Sequence, residues 1–486
     1  MARFTILLLF WSASLSIVFA QKDWQAMVNS WADDAYFTHA SVGVALADAS
    51  NGRLLAHHHG GKSLIPASNL KLLTTATALS VLGADYRFET EIAYSGYVDA
   101  QGILQGDLYI VGGGDPTLGS PDMADTPSWQ QLLERFRLAI QQAGIRSVSG
   151  RVVADDLIFS SAANGSHWQW LDMGNYYGCG AFGLNVHDNL YYLRFRQQSS
   201  LGAIPPVSAI EPNIPGLQFH NEVESAARGS GDNAYIYGAP YSYQRFLRGT
   251  IPVGSGLFTI KGSIPDPPLF AAQQLQAELE RVGIVCSRPP ASLRHLPRAE
   301  QQRAKTNLYT HRSPSLAAIA KRTNEESVNL YAEVLLRAIG WAKQGEGSAT
   351  AGLEAVYAYW QEQGVPTAGV QLYDGSGMAP RNVMPAAFFC KLLSAMYQNE
   401  AVRPSFWESL PVAGRSGSLK NSLRGTAAEG RLRAKSGSLE QVRAYSGYVS
   451  RRDGQVLAFS ILLNNYEGSG GVARRKLLEL MAQLAE

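Results

Sequence analysis

A serine and a lysine three positions apart are the residues whose types and spacing first suggest chemistry in this sequence. Ser68 and Lys71 lie in the segment Pro66-Ala67-Ser68-Asn69-Leu70-Lys71, which opens an apolar run reaching Leu82. On a helix, this spacing places the two side chains on one face, about 5–6 Å apart at Cβ. A serine hydroxyl is a weak nucleophile until a base removes its proton, and a lysine at this position can act as that base. The pair therefore predicts nucleophilic catalysis by Ser68.

The element that must position this pair is a buried helix. Pro66 precedes it and Gly83 follows it, and these residue types are typical start and stop signals. Between them, apolar side chains point almost all round the helix, so we expect it to lie in the core. Burial favours the neutral form of a lysine, which is the form that a base requires.

Two further short motifs occur later in the chain. Ser327-Val328-Asn329 and Lys435-Ser436-Gly437-Ser438 follow the Ser-x-x-Lys segment, and each of the three patterns occurs once, in that order. This trio is typical of penicillin-binding proteins and class A β-lactamases. The charge of Lys435 should also disfavour protonation of Lys71, if the two lysines meet in the fold.

Composition narrows the remaining classes of function. The 486 residues are 46% hydrophobic and 17% charged, with 42 Lys and Arg against 40 Asp and Glu, as in a globular protein. No block of Lys and Arg stands out, so we expect no nucleic-acid partner. His57-His58-His59 cannot converge on one ion from a strand, and Gly178 to Gly183 matches a dinucleotide pattern without a surrounding βαβ unit. We therefore expect no metal and no cofactor.

The first twenty residues resemble a secretory signal. Arg3 forms a basic start, Ile6 to Phe10 an apolar centre, and Val18-Phe19-Ala20 a small-residue cleavage site. We expect export to the periplasm or the extracellular space. No second stretch is long and apolar enough to cross a bilayer, so membrane association is at most peripheral. We expect the apolar face of the closing helix, Val472 to Ala485, to pack on the sheet; the alternative is contact with a membrane surface.

The three cysteines are widely spaced and odd in number, which excludes complete pairing within the chain. Three buried free thiols are favoured over one disulfide plus one free thiol; the residues are Cys179, Cys286 and Cys390.

Strand patterns at the two ends of the chain bracket a helical middle. If they pair, Ser41 to Leu46 and Leu54 to His57 join Val442 to Tyr448 and Val456 to Leu463 in one antiparallel sheet with helices on both faces. Ser68 and Ser327 are 259 positions apart, far more than a helix connection needs. We therefore expect a signal peptide at 1–20, a catalytic domain formed by 21–85 and 271–486, and one or more inserted domains at 86–270, with two favoured.

These residues resemble the D-alanyl-D-alanine carboxypeptidases and endopeptidases among the low-molecular-mass class C penicillin-binding proteins. The resemblance covers most of the mature chain. It is carried by the three motifs and by the segments Leu82-Gly83-Ala84-Asp85-Tyr86-Arg87-Phe88, Gly114-Asp115-Pro116-Thr117-Leu118, Asp374-Gly375-Ser376-Gly377 and Leu410-Pro411-Val412-Ala413-Gly414. It implies the α/β (α+β) fold of serine β-lactamases and DD-peptidases, an antiparallel sheet flanked by helices, with a large strand-rich insertion between the first and second motifs.

The resemblance also implies a reaction. The substrates would be peptidoglycan stem peptides that end in D-Ala-D-Ala, or their cross-links, and β-lactam antibiotics would be covalent inhibitors. Ser68 would be acylated and Lys71 would take its proton. Ser327 and Lys435 would relay a proton to the leaving amine, while Asn329 would hold Lys71 and the substrate amide.

The third motif would bind the substrate. Lys435 and Ser436 suit its terminal carboxylate, Gly437 belongs to the same strand, and the backbone N–H groups of Ser68 and Ser438 would form an oxyanion hole. Which group is the base at each step stays open.

The resemblance further suggests one substrate contact in the insertion. In Val152-Val153-Ala154-Asp155-Asp156-Leu157-Ile158-Phe159, it favours Asp155 as the carboxylate that faces the free amino group of the stem peptide's diamino acid. The alternative is an aspartate that is only solvated. For the whole chain, the alternatives are a β-lactamase or esterase of the same fold, and a non-catalytic wall-binding module that senses penicillin.

Overall fold

A computed structural model describes residues 23–486, so the signal peptide expected at 1–20 lies outside the described residues. The α-helices of the described part are α1 Trp24–Ala32, α2 Leu70–Leu82, α3 Trp129–Gln142, α4 Trp170–Met173, α5 Pro267–Arg281, α6 Arg298–Gln301, α7 Leu316–Glu325, α8 Asn329–Gln344, α9 Ala349–Glu362, α10 Ala386–Gln398, α11 Arg403–Glu408 and α12 Gly470–Leu484.

The strands in the same part are β1 Ser41–Asp48, β2 Leu54–His58, β3 Ser63–Leu64, β4 Glu89–Tyr94, β5 Tyr97–Val98, β6 Ile103–Gln105, β7 Leu108–Gly112, β8 Ser147–Val148, β9 Val152–Asp155, β10 Leu190–Arg196, β11 Val207–Glu211, β12 Gln218–Ala226, β13 Asn233–Tyr237, β14 Gln244–Pro252, β15 Leu257–Ser263, β16 Ala291–Ser292, β17 Thr306–Arg312, β18 Met384–Pro385, β19 Leu432–Leu439, β20 Val442–Ser450 and β21 Val456–Asn464.

One antiparallel sheet joins the two ends of the chain, in the order β19-β20-β21-β1-β2. β1 pairs with β21 along its whole length, from Ser41 opposite Asn464 to Asp48 opposite Leu457. Alternate residues of β1 belong to the hydrophobic clusters on opposite faces of the sheet, because successive strand side chains point to opposite faces. Val44 packs with α1 and α12, whereas Ala45 packs with α2 and α10. The predicted antiparallel sheet with helices on both faces is confirmed.

Helix α2 is buried among other helices and packs on α7, α8 and α9. A 3₁₀ turn, Ala67–Asn69, immediately precedes it, so Ser68 lies in this turn and only Lys71 lies in the α-helix proper. Ala67 has φ 47°, and this left-handed residue bends the chain into the turn. The hydroxyls of Thr75 and Thr77 bond to carbonyls one turn back, so these buried polar groups are satisfied.

The insertion consists mostly of small sheets. Its largest sheet has the order β16-β9-β7-β4-β17, and three three-stranded sheets surround it: β5-β6-β8, β11-β10-β15 and β12-β14-β13. Helix α5 packs on β9, and β17 pairs with β4 from Thr306 opposite Tyr94 to Arg312 opposite Glu89. Residues 271–312 therefore pack with the insertion, although the sequence placed them in the catalytic domain. We propose that the catalytic domain resumes after Arg312.

The expectations for the cysteines and the last helix can be compared with the structure directly. Cys179, Cys286 and Cys390 are free and buried, as the odd number and wide spacing favoured. The apolar face of α12, including Leu477 and Leu480, is fully buried against the sheet. None of the helices within residues 23–486 has the length and apolar character needed to cross a membrane.

Candidate active site

The side chain of Lys71 is fully buried and is surrounded by three oxygen atoms. Its Nζ lies 3.0 Å from Ser68 Oγ, 2.6 Å from Asn329 Oδ1 and 2.6 Å from the carbonyl oxygen of Ser376. A protonated lysine donates to all three. A neutral one can donate to the two carbonyl oxygens and keep its lone pair for the Ser68 hydroxyl. The geometry therefore suits removal of the Ser68 proton by Lys71.

The electrostatics of Lys71 favour this role near neutral pH. Burial lowers the pKa of Lys71 to about 7, while the carboxylates of Asp374 and Glu333 act in the opposite direction. A base whose pKa lies near the working pH is both available and able to take a proton.

A tight loop supplies the Ser376 carbonyl, and the Glu333 carboxylate holds it. Glu333 Oε1 accepts hydrogen bonds from the backbone N–H groups of Gly375 and Ser376, both at 2.9 Å. Its Oε2 faces Arg337 at 3.1 Å, and neither side chain of this ion pair is exposed. Burial and Asp374 raise the pKa of Glu333, whereas Arg337 lowers it. The guanidinium, which stays protonated, favours the carboxylate form of Glu333 and opposes the effect of burial.

Asp374 fixes the same loop from within. Its carboxylate accepts hydrogen bonds from the N–H groups of Gly377 and Ala379, the amide of Asn382 and the indole of Trp168. Sequence reasoning missed the roles of Glu333, Asp374 and Ser376. A charged pair four residues apart in an apolar helix, Glu333 and Arg337, was the signal available for one of them.

The second motif enters the site at the start of α8. Ser327 has φ 61°, and Asn329 is the first residue of the helix. Asn329 accepts from Lys71 and donates through Nδ2 to the carbonyl of Tyr177 at 2.8 Å. Ser327 and Asn329 both line a cavity of about 390 Å³.

The third motif lies on β19, next to the Ser68 turn. A Cβ added at Gly437 would meet the carbonyl oxygen of Pro66 at 2.5 Å, so this close approach requires glycine. Ser436 Oγ bonds to Ser418 Oγ at 2.8 Å, and Ser438 is exposed. Strand β19 and the Ser68 turn are therefore in direct contact and lie side by side at the site.

Lys435 is fully buried, and its Nζ donates to the carbonyl of Ser436 at 2.8 Å. Burial and then the charge of Lys71 hold the pKa of Lys435 well below its usual value, and Glu326 opposes them. The charge of Lys71 thus disfavours the protonated form of Lys435, and burial is the main cause of the lowered pKa of Lys71. The expected effect of Lys435 on Lys71 stays a prediction.

Asp155 lies apart from these residues, and its expected contact with the substrate stays untested. Asp155 is buried at the end of β9, where Oδ2 accepts from Lys305 Nζ at 2.8 Å and Oδ1 accepts from the N–H of Leu157. This carboxylate therefore already has a cationic partner within the protein. Lys305 is 150 positions away in the chain, so local sequence gave no sign of it.

A second cavity, of about 510 Å³, adjoins the end of β19. Leu439 and Gln441 line it from the catalytic sheet, and Asp172, Tyr177 and Tyr235 line it from the insertion. Burial raises the pKa of Asp172, while a hydrogen bond with the Tyr177 hydroxyl lowers it. Across residues 23–486, no cluster of His, Cys, Asp and Glu could hold a metal ion.

Comparisons with known proteins agree with this geometry. Residues 24–485 match the family model described as the D-Ala-D-Ala carboxypeptidase 3 (S13) family. A D-alanyl-D-alanine carboxypeptidase from an Actinomadura species is 33% identical over 459 residues, covering 92% of this chain and 82% of the relative. The D-alanyl-D-alanine carboxypeptidase DacB of Haemophilus influenzae is 24% identical over 434 residues, covering 88% of this chain and 86% of that protein. The crystal structure of penicillin binding protein 4 (dacB) from Haemophilus influenzae superposes with a TM-score of 0.80 at 22% identity, covering 94% of this chain and 98% of that one. The fold expected from sequence is confirmed.

Removing the charge of Glu333 should lower the pKa of Lys71. Glu333→Gln keeps an oxygen for the two loop N–H groups but removes a carboxylate that stabilises the ammonium form of Lys71. The neutral base is then available at lower pH, so the midpoint of the acylation rate should move below about 7. Acylation rates measured from pH 5 to 9 test this. Glu354→Gln, an exposed acid on α9, is the control, and a midpoint that moves equally in both variants would contradict the coupling.

Gly377→Ala should slow acylation by displacing the Ser68 turn. The new methyl would lie 2.0 Å from the carbonyl oxygen of Ala67, in a residue with φ +84°. Displacing a reacting group by about 1 Å can cost roughly 100-fold in rate. Gly364→Ala is the matched control, because Gly364 has φ +69° and nothing within 4 Å of its added Cβ. It should lose stability, by about 1 kcal/mol, and keep its acylation rate; the same rate loss in both variants would mean that backbone strain alone explains the effect.

Proposed function

The chain belongs to the D-Ala-D-Ala carboxypeptidase 3 (S13) family and is a serine-type D-Ala-D-Ala carboxypeptidase, and we propose that Ser68 is its nucleophile and Lys71 the base of acylation. The observation that carries this assignment is the fully buried Lys71 amine, held by Asn329 and the Ser376 carbonyl with Ser68 Oγ at 3.0 Å.

Acylation follows from this arrangement. Ser68 Oγ attacks the carbonyl carbon of the penultimate D-Ala, and its proton passes to neutral Lys71. The oxyanion that forms accepts hydrogen bonds from the backbone N–H groups of Ser68 and Ser438, each worth about 3–4 kcal/mol in comparable enzymes. The peptide C–N bond then breaks. Ser327 and Lys435 pass a proton to the departing nitrogen, and the terminal D-Ala leaves as a free amino acid.

Lys435 gives the site its preference for a free carboxylate. It is fully buried, and its Nζ donates to the backbone carbonyl of Ser436 rather than to a carboxylate. A bound carboxylate supplies the missing counter-charge and favours the protonated form of Lys435. Ser436, next to it on β19, adds a hydroxyl donor, and Gly437 keeps the strand close to Ser68.

A water molecule completes the cycle. It attacks the ester carbonyl of the acyl-enzyme, its proton goes to a neighbouring base, and the Ser68 hydroxyl is restored. Lys71 Nζ lies 3.0 Å from Ser68 Oγ in the free enzyme, so it is placed to return the proton to that oxygen. The same two steps cleave a D-Ala cross-link if the leaving amine belongs to a second stem peptide, so endopeptidase activity is part of the proposal.

The proposed substrates are peptidoglycan stem peptides, and β-lactams are the proposed covalent inhibitors. A relative structure from Haemophilus influenzae is described as complexed with a novel β-lactam, which supports the second assignment. A substrate in the cell wall, together with the signal-like residues 1–20, supports a location outside the cytoplasm.

We assign the substrate-facing carboxylate to Asp172 instead of Asp155. Asp172 lines the cavity beside Leu439 and Gln441, and its side chain bonds there to the Tyr177 hydroxyl rather than to a cation. An ammonium group of the stem peptide would therefore meet a half-buried carboxylate. Asp155 already pairs with Lys305.

Penicillin should form a covalent adduct on Ser68. Intact-protein mass spectrometry should detect one adduct per chain, and peptide mapping should place it on the segment that contains Ser68. Ser68→Ala should lose the adduct and keep the thermal midpoint of the wild type. An adduct that survives in Ser68→Ala would overturn the assignment, and rapid release of hydrolysed penicillin would favour a β-lactamase.

Asp172→Asn should weaken only substrates that carry the free amino group. The loss of a hydrogen bond between charged groups, about 1.5–3 kcal/mol, should lower kcat/KM about 10- to 150-fold on a full stem peptide. A peptide with that amino group acetylated should be cleaved equally by both enzymes. Asp155→Asn is the control, and we expect it to lower stability without this substrate selectivity. Equal losses on both peptides in Asp172→Asn would make Asp172 structural.

A further inference from the structure

An exposed row of aromatic rings crosses the small sheet β12-β14-β13 of the insertion. Phe246 on β14 pairs with His220 on β12 and Tyr237 on β13, so the three side chains point to one face. Trp170 on α4 extends the row, with its ring centroid 6.3 Å from that of Tyr237. We call these four residues the aromatic row. Trp170 is 52% exposed and Phe246 is 39% exposed.

The aromatic row continues into the cavity beside the catalytic strand. Tyr235 lines that cavity with Asp172 and Gln441. Across the sheet, Tyr235 is paired with Arg248, whose guanidinium lies over the rings of Tyr237 and Phe246 at 5.5 and 5.8 Å. Tyr235 and Tyr237 are two residues apart on β13 and point to the same face, so the aromatic row begins next to a residue that lines the cavity.

The direction in which the peptide binds determines which part of a polymeric substrate contacts the aromatic row. Its terminal carboxylate is placed at Lys435 and Ser436, so the acyl side of the peptide extends toward the end of β19 and the cavity. In peptidoglycan, the other end of a stem peptide is joined to a sugar chain. A polymeric substrate that fills the cavity must therefore carry its sugars toward the aromatic row.

The chemistry of the aromatic row suits sugars better than charged polymers or lipids. Arg248 pairs with Glu222 at 2.8 Å, and His220 contacts the same carboxylate at 3.0 Å. The face thus has no excess of positive charge, which an anionic membrane surface would require. Pyranose rings have apolar C–H faces that pack on aromatic rings, while their hydroxyls bond to charged groups beside them.

We propose that the aromatic row binds the glycan strand of peptidoglycan while its stem peptide occupies the active site. The proposal rests on the function proposed above and deepens it, because it predicts a preference for the polymer over sugar-free peptides. The row adds affinity outside the reacting centre, so it should affect KM on the polymer and leave the chemical step unchanged.

The test compares two substrates in the double variant Trp170→Ala/Phe246→Ala. Release of D-Ala is measured from intact peptidoglycan and from a sugar-free peptide that ends in D-Ala-D-Ala. The half-saturating concentration of peptidoglycan should rise roughly tenfold, and kcat/KM on the peptide should stay within about twofold. Trp341→Ala removes a 45% exposed tryptophan on α8 and should change neither value.

A binding assay separates this proposal from the catalytic one. Ser68→Ala protein should sediment with peptidoglycan and with glycan strands stripped of peptides, and adding the two alanine substitutions should abolish the second interaction. If wild-type enzyme released no D-Ala from either substrate, the proposed function would fail while this assay could still succeed.

Three results would overturn the glycan site. One is unchanged behaviour of the double variant on both substrates; another is an equal loss on both. The third is binding of the wild type to phosphatidylethanolamine–phosphatidylglycerol vesicles that the double variant loses, since that would identify a lipid surface. If the double variant had a lowered thermal midpoint, the single variant Trp170→Phe would be tested in its place. It keeps a ring at this position, so it should bind glycan strands as the wild type does.

Discussion

Burial of the Lys71 amine is the constraint on which the rest of the site depends. An ammonium in a protein interior loses its hydration, so a buried lysine shifts toward its neutral form. Three oxygens around Nζ, from Ser68, Asn329 and Ser376, limit that cost without removing it. Carboxylates farther away raise the pKa again, and the result is a value of about 7. The pKa of Lys71, the proposed base, therefore depends on helix packing as much as on its three contacts.

A buried ion pair holds the loop that carries one of those oxygens, the Ser376 carbonyl. Glu333 and Arg337 are fully buried, and a pair of this kind contributes little to stability, because desolvation offsets its attraction. The pair instead fixes the position of a loop, because Glu333 accepts hydrogen bonds from two N–H groups of the loop that presents the Ser376 carbonyl. A hydrophobic replacement could match its stability and still leave that loop without a fixed position.

Sequence could predict the parts of this arrangement that local spacing encodes. Ser68 and Lys71 are three residues apart, so any helical backbone brings them together, and the structure adds Asn329 at 2.6 Å from Lys71. The antiparallel sheet was predictable too, because its strands alternate and lie at the chain ends. Contacts between distant segments were not. Lys305 pairs with Asp155, and β17 pairs with β4 although the chain between them is longer than 200 residues. No local pattern specifies such a partner.

Other long-range contacts connect the insertion to the residues around Lys71. The Tyr177 carbonyl accepts from Asn329, and the Trp168 indole donates to Asp374, which fixes the loop beside Lys71. Arg337 also donates to the carbonyls of Ala162 and Ala163. Each of these bonds joins a residue of the insertion to a group that contacts Lys71 or helps to fix the loop carrying Ser376. Because unpaired buried polar groups cost about 1–3 kcal/mol each, the catalytic sheet and helices alone would lack partners that the active geometry uses. The insertion therefore holds groups that surround Lys71, and its aromatic row lies beside the cavity at the end of β19.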